Sequence, residues 1–140
     1  MGEIIWDFSW NIGHNRIDEQ HQKWIEIFNH LYEAVFSKND QNLGDIQRTA
    51  IKEMLDYTSY HFGYEEKIMK ESAYPDAYVH WRMHKNFENI VYKNYRNLVD
   101  GELILNSTLL SIMENWLVQH IQVEDKKLKY HLISLGGIAG

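Results

Sequence analysis

The chain has 140 residues, 44% hydrophobic, 24% charged and 14% aromatic, proportions that point to one folded domain and exclude a disordered chain. It contains no cysteine, which excludes a disulfide scaffold, an iron–sulfur cluster, a thiol nucleophile and cysteine-bound zinc. The net charge is −6, with no basic stripe beyond Lys126, Lys127 and Lys129, so nucleic acid is not an expected partner.

Residues 1–17 hold Trp6, Phe8, Trp10 and Ile12 in alternation, but a lone strand has nothing to pair with. They are read as an extended arm laid on the rest of the domain. Neither a basic region nor a long apolar stretch opens the chain, so no secretory signal is expected. No apolar run approaches the roughly 20 residues that span a bilayer. The expected location is the cytoplasm, away from membranes.

A single proline permits long helices, and the apolar spacing predicts four of them. The first runs from Asp18, as N-cap, to Ser37, with Ile17, His21, Trp24, Phe28, Leu31 and Val35 on one stripe. Asn39 to Gly44 reads as a turn. The second covers Asp45 to Lys70, with Ile51, Met54, Thr58, His61, Glu65 and Ile68 on one side, and stops before Tyr74-Pro75. The third covers Asp76 to Val99, placing His80, His84, Phe87, Val91, Tyr95 and Leu98 together, with Gly101 as its stop. The fourth opens at Ser107 or Thr108 and carries Leu109, Met113, Trp116, His120 and Val123. Asn106-Ser107-Thr108 has the form of a glycosylation acceptor but reads as this helix's N-cap. Short connections between four amphipathic helices predict an all-α, antiparallel up-down-up-down four-helix bundle over residues 18–135, with 136–140 as a flexible tail and the whole chain as one domain.

Eight histidines are the unusual feature. His61 and Glu65 are four apart, as are His80 and His84, so each pair projects from one helical face. Together with His21 and His120 they fall on the apolar stripes, where a polar group is costly unless paired or coordinated. One such histidine alone reads as a satisfied core residue. Four helices turning such groups toward one axis read as a metal site built inside a bundle. His14, His30 and His131 lie off the shared stripe.

The strings Ile17-Asp18-Glu19-Gln20-His21, His61-Phe62-Gly63-Tyr64-Glu65-Glu66-Lys67-Ile68-Met69, Tyr74-Pro75 followed by His80 and His84, and Trp116-Leu117-Val118-Gln119-His120-Ile121 with Asp125 resemble the hemerythrins, and more closely the bacterial hemerythrin-like domains. The likeness spans about residues 6 to 130. It implies two iron ions in an oxo-bridged centre, one held by His80, His84 and His120, the other by His21 and His61, with Glu65 and Asp125 bridging both. Spacing alone favours Glu124, since five residues turn a straight helix by about 500°. The family pattern selects Asp125, which requires a widened, π-type turn.

The resemblance implies reversible dioxygen binding, for storage or delivery, rather than enzymatic turnover. Oxygen-activating di-iron bundles carry paired Glu-x-x-His motifs, and this chain has none. Two alternatives stand beside that reading: an oxygen or redox sensor within a larger signalling protein, and a peroxidase or nitric-oxide scavenger. A metal-free packing bundle ranks last. Trp24, Phe28, Phe62, Trp81, Phe87, Trp116 and Ile121 are expected around the ligands as a water-excluding shell. Trp24 stands where the family commonly has leucine and Leu128 where it commonly has tyrosine, departures that bear on oxygen affinity and autoxidation.

Overall fold

The computed structural model describes residues 3–36, 43–101 and 105–136. The predicted end of the first helix at Ser37, most of the following turn and the last four residues of the tail lie outside these. Helices α1 (Asn15–Phe36), α2 (Leu43–Glu71) and α3 (Ala77–Val99) are followed by α4 (Ser107–Gln119), a π turn (His120–Glu124) and α5 (Asp125–Ser134), the last three forming one rod. The result is an antiparallel four-helix bundle, with no strand among the described residues.

The start of α1 differs from the sequence reading. Asp18 is not the N-cap; the helix begins three residues earlier, where His14 Nδ1 accepts the Ile17 N–H at 3.3 Å. The Asp18 carboxylate turns back on the arm instead, accepting the N–H groups of Ile12 at 2.7 Å and Gly13 at 3.1 Å. Gly13 sits at φ 84°, a left-handed conformation that glycine adopts freely. Two arm donors thus depend on one buried side chain, and an unpaired buried donor costs about 1–3 kcal/mol. Asp18→Ala is therefore expected to lower stability by about 2 kcal/mol in urea unfolding, with Asp18→Asn recovering part of it. A loss below about 0.5 kcal/mol, the range of a neutral surface change, would show that the arm is held by other contacts.

The arm is tied at its other end by Asn29, whose amide donates to Ile4 O and accepts from Ile4 N–H, each at 2.8 Å. Ile4 and Ile12 are buried, whereas Phe8, in a short 3-10 turn over Phe8–Trp10, is 74% exposed. That turn interrupts the alternation read from the sequence.

Gly44, assigned to the turn by sequence, lies inside the first turn of α2. That helix ends in a Schellman motif: Tyr74 N–H bonds Met69 O at 2.9 Å and Ala73 N–H bonds Lys70 O at 3.2 Å, with Ala73 at φ 53°. Tyr74 and Met69 pack in the same apolar cluster, the contact that accompanies this cap. The N-cap of α4 is Asn106, whose side chain accepts from Leu109 N–H at 3.1 Å.

Two apolar clusters fill the bundle. The larger holds Trp24, Phe28, Leu31, Ile51, Met54, Phe62, Phe87, Val91, Met113 and Leu117. The smaller holds Ile12, Ile17, Met69, Tyr74, Leu128 and Leu132. On every rod the histidines and carboxylates fall between residues of one cluster and residues of the other, for example Ile17, His21, Trp24 on α1 and Phe62, Glu65, Met69 on α2. The polar groups form one layer sealed by apolar packing above and below. No described helix is long and apolar enough to cross a membrane.

Candidate metal centre

All seven residues named from the sequence meet in that layer. His21, His61, Glu65, His84 and Asp125 are fully buried, and His80 and His120 nearly so. Their ligand atoms fall into two sets, Glu65, His80, His84, His120 and Asp125 in one and His21, His61, Glu65 and Asp125 in the other, each within 4.8 Å.

The carboxylates belong to both sets and divide their oxygens between them. Glu65 Oε1 lies 2.7 Å from His80 Nε2, 3.2 Å from His84 Nε2 and 4.0 Å from His120 Nε2. Its Oε2 faces the other way, 3.6 Å from His21 Nε2 and 3.4 Å from His61 Nε2. Asp125 repeats the division, with Oδ1 3.2 Å from His80 and 3.3 Å from His120, and Oδ2 2.9 Å from His21.

Asp125 reaches the layer because the rod winds wide at the π turn, where its N–H bonds the carbonyl of His120, five residues back. Glu124 is turned outward, 3.3 Å from Lys127.

Protons alone do not satisfy this arrangement. The Nε2 atoms of His84 and His120 face each other at 3.2 Å, so only one could donate. His21 Nε2, His61 Nε2, Glu65 Oε2 and both Asp125 oxygens are buried without a hydrogen-bond partner, the short approach of His21 to Asp125 lacking the necessary geometry. Buried polar groups in proteins are nearly always paired. Lone pairs of nitrogen and oxygen aimed at shared points are the donor set of a cation.

The electrostatics agree. Burial pushes the Glu65 carboxyl up, and burial with the charge of Glu65 does the same to Asp125, yet the imidazoles outweigh both and hold the two acids below the ordinary carboxylate range. Burial likewise opposes charge on His21 and His80, but the carboxylates raise them to about 9 and about 10. Burial lowers His61 and His120. Two carboxylates kept ionised in an apolar interior call for positive charge beside them, from protons or from metal.

Aromatic rings enclose the layer. Phe62 stacks on His84 at 3.7 Å and Trp116 on His120 at 4.5 Å. Trp24, fully buried, sits 5.1 Å from the His61 ring and 6.4 Å from that of His21. Its indole N–H donates to Thr58 Oγ1 at 3.0 Å, so only its apolar surface faces the histidines. Trp81 is not part of the shell: it is 40% exposed and stacks on Tyr78, one residue beyond His80 and so about 100° round the helix, toward solvent.

Sequence reasoning gave no role to Gln20 and Glu66. Gln20 Oε1 lies 2.9 Å from His61 Nδ1 and Glu66 Oε2 lies 2.8 Å from His84 Nδ1. The available signal was their position, each directly adjoining a layer residue on its own helix.

Fold and site together define a four-helix bundle with a buried histidine–carboxylate cluster compatible with a metal site. The hemerythrin HHE cation binding domain matches residues 13–132. A bacteriohemerythrin of Stenotrophomonas maltophilia is 35% identical over 94% of this chain and 86% of its own length. One of Pseudomonas aeruginosa is 30% identical over 89% and 78%. A crystal structure of a hemerythrin point mutant superposes with a TM-score of 0.86 at 22% identity, covering 94% of this chain and 98% of the other. The chain belongs to the hemerythrin family.

Proposed function

We propose that the layer holds two iron ions and that the protein binds dioxygen reversibly, as a store or a carrier. The observation behind this reading is the division of oxygens: Glu65 and Asp125 each turn one oxygen to His80 and its neighbours and the other to the His21 side. With a single ion, the second oxygen of each carboxylate would face a histidine set that has no ion of its own. Two ions a few ångströms apart fit carboxylates shared between them.

His80, His84 and His120 would hold one ion and His21 and His61 the other. With about six positions on each iron, three imidazoles and two carboxylate oxygens would nearly fill the first, while the second, with one imidazole fewer, would leave room for a small ligand. When bound, the iron pair supplies the electrons with which dioxygen is held and given back. The chain's own residues do the rest. The indole face of Trp24 lies beside the two-histidine half and withholds water and protons there. Once metal has displaced their protons, five neutral imidazoles to two carboxylates would donate less charge than carboxylate-rich sets, which favours binding over oxidation of a substrate.

The test is anaerobic reduction of the iron-loaded protein followed by air, repeated over several cycles, with iron counted per chain. Two ions per chain and a visible band that returns on each oxygenation are expected. Continuous consumption of reductant and oxygen would identify an enzyme instead, and irreversible bleaching on first exposure would favour a sensor. No iron uptake would overturn the reading.

A further inference from the structure

We propose that the two halves of the centre are made electronically unequal by the groups behind their histidines, a carboxylate at His84 and a neutral amide at His61, with Glu66 and Gln20 as positioning residues that set the order in which the halves change oxidation state. This rests on the two-iron reading above.

The placement is systematic. Gln20 adjoins His21 on α1 and reaches across to His61 on α2; Glu66 adjoins Glu65 on α2 and reaches across to His84 on α3. In each case the outer ring nitrogen is engaged, at 2.9 and 2.8 Å, and the inner Nε2 is left toward the layer. Nδ1 of His21 and of His80 is buried without a partner, so this support is selective. At His61 the tautomer follows from the function of the ring: Nε2 must offer its lone pair, Nδ1 then carries the proton, and Gln20 Oε1 accepts it.

The two acceptors differ in charge. A carboxylate accepting from an imidazole makes the ring a stronger donor to a metal than a neutral carbonyl does. His84, on the half that already has three imidazoles, is the ring so treated. That half gains electron density and is favoured in its oxidised form. The half with His21 and His61 is held by a neutral acceptor and keeps its reduced form more readily. Gln20 is 5% exposed and Glu66 has a side-chain exposure of 23%, so solvent screens the second contact only in part.

The test is a charge exchange at the two positions, read as stepwise midpoint potentials by spectroelectrochemistry alongside iron per chain. Glu66→Gln is expected to raise the potential of the three-histidine half and weaken its metal about 10- to 100-fold. Gln20→Glu is expected to lower the potential of the other half. A tenfold change in the ratio of oxidised to reduced affinity corresponds to 59 mV for one electron. Shifts of opposite sign support the proposal, since loosened packing would not reverse sign with charge. Shifts of the same sign, or none, would overturn it. Should Gln20→Glu fold poorly, Glu66→Asp decides: it keeps the charge with a shorter reach, and its potential should fall between wild type and Glu66→Gln, whereas one no closer to wild type than Glu66→Gln would count against the proposal. Wild-type protein that takes up two irons while the variants leave both potentials unmoved refutes this inference alone; wild-type protein that takes up none refutes the two-iron reading.

Discussion

Glu65→Ala is expected to empty both halves of the centre at once, whereas His61→Ala should empty only one. Glu65 faces both histidine sets, with Oε1 within 3.2 Å of His80 and His84 and Oε2 within 3.6 Å of His61 and His21. On the two-iron reading, its loss would remove a ligand from each ion and the negative charge that would help hold two cations together. Because loss of a mere supporting contact costs 10- to 100-fold in metal affinity, loss of the shared ligand should exceed about 100-fold for each ion. His61 faces only the Oε2 side, so its removal should lower iron from two to about one per chain. Both variants should also melt below the loaded wild type, since metal-binding energy is folding energy where the unfolded chain has no preformed site. Iron counting and thermal unfolding with and without metal check this. Retention of one ion per chain in Glu65→Ala would show that Glu65 serves one half only.

Much of this architecture was legible because two periodicities coincide. Residues such as His21 and Trp24, or His80, His84 and Phe87, sit at three- and four-residue steps, so the stripe that locates the core also locates the histidines. What was not legible depends on direction across helices rather than along one. Gln20 and Glu66 are one step off the stripe, and their role appears only once α2 and α3 stand beside them. Asp18 looks like an N-cap by residue type, but His14 had already capped the turn and the arm's backbone donors needed an acceptor. Trp81 looks like a shell residue by adjacency to His80, yet neighbours in a helix point about 100° apart.

The choice between Glu124 and Asp125 is where local spacing and the fold disagree most, and it yields the second large effect. On a regular helix Glu124, four residues after His120, would share its face, and Asp125 would be carried past it. The π turn reverses this: the bond from Asp125 N–H to the His120 carbonyl spans five residues, so the chain completes its turn one residue later and Asp125 arrives in the layer. Glu124 is left outside with Lys127, an exposed pairing of a kind worth at most about 1 kcal/mol. Asp125→Ala is therefore expected to weaken both ions by more than about 100-fold, the bound for a direct ligand over a supporting contact. Glu124→Ala should leave iron content and colour unchanged and move the melting temperature by no more than a surface substitution does. The reverse pattern, with iron lost in Glu124→Ala and kept in Asp125→Ala, would mean that the rod is a regular helix when metal is bound and that the wide turn does not serve the centre.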